Sequence, residues 1–184
     1  TAAALAGRPV ESLRLSSERL ALVTRTHAER HPRGTVEVVD AMRAVTSYAV
    51  ATGRLSEALD VTRRGIANPA LEPHPCWAKG SAIAPLALSG DFDGAERAAD
   101  DVWENVLATR RFHNVSLAGP LVGAALAAGL RGDRAACDTW WERARQVAAP
   151  TRLEESPNLA PWAAFVRARV ALAEDRDLRG ALAA

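Results

Sequence analysis

Apolar positions along this chain recur at helical spacing. Val38, Met42, Val45 and Ala49 fall on one side of a 3.6-residue period, and Glu37, Asp40 and Arg43 fall on the other, which predicts an amphipathic helix over 35–52. Leu13, Leu20 and Val23 mark a helix over 10–30, stopped by Pro32 and Gly34. Leu55, Ala58, Leu59 and Ile66 form the inward face of a helix over 55–67, ended by Asn68-Pro69. A proline-containing loop over 69–75 leads into a helix over 77–89, which Pro85 is expected to kink or break. Ala95, Ala99, Val102 and Val106, with Phe92, give the next helix over 92–109 its apolar side. A connection over 110–114 then enters a helix rich in glycine and alanine that ends at Leu130. Cys137, Trp140, Trp141, Ala144 and Val147 share one face of a helix over 134–149. After a loop over 150–157, Asn158 is placed to cap a final helix with Pro161 in its first turn, running through Trp162, Phe165, Val166, Val170 and Leu172. No stretch alternates as a strand does.

One junction between these helices recurs. Around Gly53-Arg54, Gly90-Asp91 and Gly132-Asp133 an apolar helix end meets a glycine, a charged residue and a fresh amphipathic start. Fainter copies at Gly7 and at Glu174 put corners at 7, 53, 90, 132 and 174. Intervals of 37 to 46 residues are those of stacked helical hairpins. Glycine supplies the positive φ of a tight helix end, and Asp91 or Asp133 can accept from a free N–H of the next helix. The small residue five places on, Ala58, Ala95 or Cys137, suits the crossing of the two helices. On this pattern a last corner at Glu174 would leave Ala184 in the second helix of a further hairpin.

Composition narrows the function classes. Hydrophobic residues at 48% and charged residues at 24% are those of a folded globular protein, and a net charge of +1 argues against a surface built chiefly for nucleic acid or anionic membrane. Lys79 is the single lysine, and arginine with abundant alanine points to a high-GC genome. Cys76 and Cys137 read as free thiols in a reducing cytoplasm. No signal peptide is expected, and the chain reads as a piece of a longer multidomain protein. The uncharged stretch Phe112 to Leu130 carries His113, Asn114, Ser116, Gly119, Pro120 and Gly123, so it reads as a buried helix and not as a membrane span.

Few residues offer chemistry. His27 and His31 stand at i and i+4, a chelating spacing, but lack a third ligand and read as a solvated helix end. Ser89, Asp91, Asp93 and Asp100 only loosely mimic a calcium loop, and capping accounts for the aspartates. His74, Cys76 and His113 show no activating arrangement for a nucleophile. There is no phosphate-binding glycine loop. The sequence therefore predicts no catalytic residue, no metal site and no cofactor. Trp103, Trp140 and Trp141 are expected to fill space between hairpins. Trp77 and Trp162 begin inner helices and are the candidate contacts of a ligand or partner groove, with Tyr48, Arg43, Lys79, Arg110, Arg111 and Arg167 as its polar rim.

The stretches Ala51 to Leu59, Leu88 to Ala95 and Ala128 to Cys137 resemble degenerate tetratricopeptide repeats. In length and composition the chain is similar to the helical-repeat region of large actinobacterial LuxR-type ATP-binding (STAND) transcriptional regulators, relatives of the maltose-regulon activator. The resemblance implies an all-α fold, a right-handed superhelix of about four to five tetratricopeptide-like antiparallel helical hairpins forming a single helical-repeat domain over 1–184. It also implies a cytoplasmic sensor or scaffold that binds an inducer, peptide or protein partner in its groove, with ATP and DNA handled by other domains, no membrane, and homo-oligomerisation left open. Two other readings stand beside it. One is a general peptide- or protein-binding module of another signalling protein; the other is an all-helical enzyme using the histidines or cysteines.

Overall fold

The computed structural model describes residues 7–26, 32–68, 75–110, 112, 114–149, 151–157 and 159–183. Among them the chain is all-helical, with eight helices and no strand: α1 Pro9–Thr26, α2 Pro32–Ala51, α3 Leu55–Ile66, α4 Pro75–Ser89, α5 Phe92–Thr109, α6 Val115–Arg131, α7 Arg134–Ala148 and α8 Ala160–Ala183. They form two compact units, Thr1–Pro85 and Leu86–Ala184.

In the first unit α2 packs against both α1 and α3. Its periodic face, Val38, Met42, Val45 and Ala49, is buried together with Leu13, Val23, Ala41, Ala58 and Val61, and Leu20 and Tyr48 pack at the edge of this core. The inward side of α3 differs from the expected one. Ala58, Val61, Thr62 and Gly65 are buried, whereas Ile66 is 52% exposed. A face centred on positions 58, 61–62 and 65 leaves residue 66 turned about 100° away from it. Gly65 leaves room on α3 for the Met42 side chain, whose terminal Cε would lie 2.0 Å from a Cβ at that position. Helix α4 continues through Pro85, so of the expected kink or break the break does not occur. Proline forfeits the bond to the carbonyl one turn earlier and crowds that carbonyl, but neither ends the helix, and Pro85 is itself buried within it.

In the second unit α6 is central, with α5, α7 and α8 packed against it. Its freedom from charge until Arg131 is explained by this position: Leu117, Ala118, Leu121, Val122, Ala124, Ala125 and Leu126 are all buried, as a helix apolar all round must be. Among the described residues no helix is long and apolar enough to cross a membrane. Gly129 permits α8 to approach α6, since a Cβ there would come 2.5 Å from Val170 Cγ2.

Three corners share one hydrogen-bond pattern. At the last, Gly132 (φ 87°) donates to Gly129 O at 3.1 Å and Asp133 N donates to Ala128 O at 3.0 Å, the two bonds of a Schellman helix end. Gly53 with Arg54 makes the same pair to Val50 and Ala49, and Gly90 with Asp91 makes it to Ala87 and Leu86. The next helix is then capped where the sequence offers an acceptor. Asp91 accepts from Gly94 N and Asp133 from Ala136 N, both at 2.9 Å, while Arg54 makes no side-chain cap. Ala58, Ala95 and Cys137 are buried. Gly7 also has positive φ, at 69°, just before α1. The corner expected at Glu174 is absent, because α8 runs unbroken from Ala160 to Ala183. Glutamate, with a Cβ, favours continued helix over the left-handed conformation a corner requires, and Glu174 accepts a hydrogen bond from Arg134 of α7.

Candidate functional site

Helices α7 and α8 both rest on α6. Between them lies a cleft of about 440 Å³, lined from α7 by Arg134, Cys137, Asp138, Trp141, Glu142 and Arg145 and from α8 by Arg167, Val170, Ala171 and Glu174. The α7 residues stand at spacings of three and four, so one helix face supplies them all. The apolar period that buries Cys137, Trp141 and Ala144 therefore turns its edge, Trp141, into a wall of the cleft.

Charges in the cleft are compensated in place. Arg134 pairs with Glu174 across the opening and with Asp138 along its own helix at 3.6 Å. Arg145 lies 3.7 Å from Glu142 and 4.0 Å from Glu154, a residue of the α7–α8 connection. Arg167 donates to the same Glu154 and places its guanidinium carbon 5.0 Å from the Trp141 ring centroid. A backbone hydrogen bond and then the one from Arg167 hold the Glu154 carboxyl below its ordinary value. Hydrogen bonding to Glu174 raises Arg134 above its ordinary value. Burial, reinforced by Asp138, pushes the Cys137 thiol up, so it is a poor thiolate at neutral pH. The arrangement can hold a ligand by stacking and exchange of ion pairs; it carries no activated nucleophile.

The residues expected from sequence to line a groove are distributed over both units. In the first unit Trp77 is half-buried beside Val39, Met42, Thr46, Thr62, Ala78 and Ser81. Tyr48 packs on the α1–α3 core, Arg43 is paired with Asp40 at 2.9 Å, and Lys79 is half-buried. In the second unit Trp162 donates its indole N–H to Gly119 O at 3.2 Å and stacks on Phe165, with centroids 5.5 Å apart. Arg110 is the left-handed cap of α5, at φ 50°. Of the expected set Arg167 reaches the α7–α8 cleft. Arg111, and with it His27, His31, His74, His113 and the Asn158 cap, lies outside the described residues. Among the described residues no three His, Cys, Asp or Glu side chains gather as a metal site.

Sequence reasoning missed Trp141, Arg134 and Arg145 as cleft residues. The available signal was the adjacent pair Trp140-Trp141, since two large rings 100° apart on one helix cannot both face the same neighbour. Compared with known proteins, the chain matches no family model, no curated protein and no solved structure.

Proposed function

We propose that this chain is a sensor or scaffold segment of a LuxR-type ATP-binding regulator, built as a right-handed superhelix of tetratricopeptide-like hairpins. It takes an inducer or a segment of a protein partner and leaves DNA and ATP to other domains. The reading rests on the repeat resemblance and on three corners with the same hydrogen-bond pattern. The observation that carries the binding role is the α7–α8 cleft, walled by Trp141 and Arg167 and of a volume suited to a small ligand or a short side-chain cluster. Its acids and bases are matched, which favours an occupant bearing both charges or an uncharged polar one over a polyanion. A raised Cys137 thiol and pair-bound carboxylates speak against catalysis there.

Occupancy of the cleft would bias the angle between α7 and α8, and so the equilibrium between resting and assembling states of the parent protein, by the difference in affinity for the two. The test is a thermal-shift screen of the chain against sugars, nucleotides, amino acids and short peptides, repeated with Arg167→Ala and Trp141→Phe. A ligand that binds the folded state raises Tm. The expected result is a dose-dependent rise in the wild type that is reduced in both variants. A rise that persists undiminished in both would remove the cleft as the site. No rise with any compound would overturn the inducer role and leave the general protein-binding module.

A further inference from the structure

Arginine in this protein is nearly always exposed. Among the described residues whose burial is defined, Arg143 on α7 is the one half-buried arginine. Its surroundings are also unlike those of its neighbours on the helix. Arg134 and Arg145 are held by carboxylates, whereas the Arg143 guanidinium carbon sits 4.3 Å from the Trp140 centroid and 5.0 Å from the Trp103 centroid of α5. Trp103 is in turn braced edge-on by Phe112, with centroids 6.3 Å apart at 79°. No hydrogen bond or ion pair joins Arg143 to a carboxylate or carbonyl among the described residues.

Contact with indole faces engages the charge of a guanidinium but none of its five N–H donors. Among the described residues the one buried side-chain polar atom without a hydrogen-bond partner is Ser17 Oγ, so the Arg143 donors still face water and stand open to an acceptor from outside the chain. The aromatic clamp also fixes the orientation of the planar fork, which lowers the entropy lost when a bidentate acceptor arrives. We propose that Arg143, clamped by Trp140 and Trp103, is a recognition site for a single carboxylate, presented by an acidic side chain of a protein partner. The site is separate from the α7–α8 cleft and does not depend on what occupies it.

The number of cations selects the ligand. One guanidinium edge matches the two oxygens of one carboxylate. A phosphate dianion would call for a second cation, and the arginines nearest in sequence on α7, Arg134 and Arg145, are already paired. One bidentate contact gives only weak affinity, so the partner must supply the remainder from a wider surface.

The probes are the peptides Ac-Ala-Glu-Ala-amide and Ac-Ala-Gln-Ala-amide and inorganic phosphate, each titrated into the ¹⁵N-labelled chain. The Arg143 Nε–H resonance is assigned from its loss in Arg143→Lys, a variant that keeps the cation beside the rings. The glutamate peptide should move this resonance and the indole N–H signals of Trp103 and Trp140, with half-saturation on the order of millimolar. In Arg143→Lys the indole response should weaken by roughly tenfold, since a point charge replaces the fork. An unmoved Arg143 signal at about ten times that concentration, an equal response to the glutamine peptide, or an equal indole response in Arg143→Lys would overturn the proposal. Stronger binding of phosphate than of the glutamate peptide would overturn the choice of carboxylate.

Discussion

Asp133 and Gly132 show how much of a helical corner rests on two side chains, or on one side chain and the lack of another. Gly132 occupies φ 87° with nothing within 4 Å of a built Cβ, so alanine there meets no clash and suffers only the backbone cost of the left-handed conformation. Gly132→Ala should therefore destabilise by about 1–2 kcal/mol, and Asp133→Ala by about 1 kcal/mol through loss of the bond to Ala136 N. Urea unfolding of each variant measures both, and an effect near zero for either would show that its corner is held from elsewhere. Trp162 provides a second residue-scale contrast. A groove residue would be replaceable without loss of stability, but its indole N–H serves Gly119 O on the proline side of α6 and its ring stacks on Phe165. Trp162→Ala is expected to lower stability by about 2 kcal/mol, read as a fall in Tm of several degrees. A variant as stable as the wild type would return Trp162 to the ligand-contact class in which its sequence position put it.

Between elements, contact distance and charge decide how helices seat. Gly129 and Gly65 both face a neighbour too near to admit a Cβ, yet the neighbours differ. Val170 is β-branched with one favoured rotamer and sits on α8, so Gly129→Ala must push α8 from α6, at about 1–3 kcal/mol. At Gly65 the atom in the way is the terminal methyl of Met42, on a flexible chain, and the loss on Gly65→Ala should be the smaller of the two. Equal losses in thermal unfolding would contradict this ordering. The α1–α2 contact is tied by Arg19, which donates to Glu37 at 2.6 Å and Asp40 at 2.8 Å. Burial raises the Asp40 carboxyl, but the hydrogen bonds from Arg19 and then Arg43 outweigh it and leave the folded value below the ordinary one. A depressed value means stability that is complete above the unfolded carboxylate range and lost as pH falls through the lowered folded value. The stability difference between wild type and Asp40→Asn should thus be constant near neutrality and shrink below about pH 4. A difference that grows on acidification would reverse the sign of the assignment.

At the scale of the whole molecule, apolar burial carries the fold and charge decorates it. Ion pairs run along and between the helices, and in those formed among the described residues by Arg8, Arg14, Arg19, Arg43, Arg54, Arg63, Arg131, Arg134, Arg145, Arg152 and Arg167 both side chains are more than a third exposed. Such pairs contribute about 0–1 kcal/mol each and are screened by salt. Raising sodium chloride from about 0.1 M to 1 M, where the screening length falls to roughly 3 Å, should accordingly move Tm by only a few degrees. A large drop would show that the paired arginines, and not Val102, Val106, Leu121 and Leu126, hold the second unit together. The same exposure keeps the α7–α8 pairs exchangeable, as the binding role proposed for the cleft requires.

The sequence by itself determined the helices and the corners. Periods of 3.6, a glycine at three of the helix ends and an aspartate after two of those glycines are local instructions, executed within a turn or two of the residues that carry them, and Gly53, Gly90 and Gly132 follow them. Where a local instruction was ambiguous, the tertiary structure decided. Glu174 has the sequence surroundings of a corner but not the glycine, and helix continuation with a bond from Arg134 prevails. Ile66 has the composition of a core residue and the wrong angle on α3. The cleft and the Arg143 clamp were out of reach for the same reason. Each joins residues of different helices, Trp141 with Arg167 and Trp103 with Trp140 and Arg143, whose separation along the chain says nothing of their distance in space. Periodicity tells which side of a helix is apolar; only packing tells which of two adjacent tryptophans meets a neighbouring helix and which is left to face an opening.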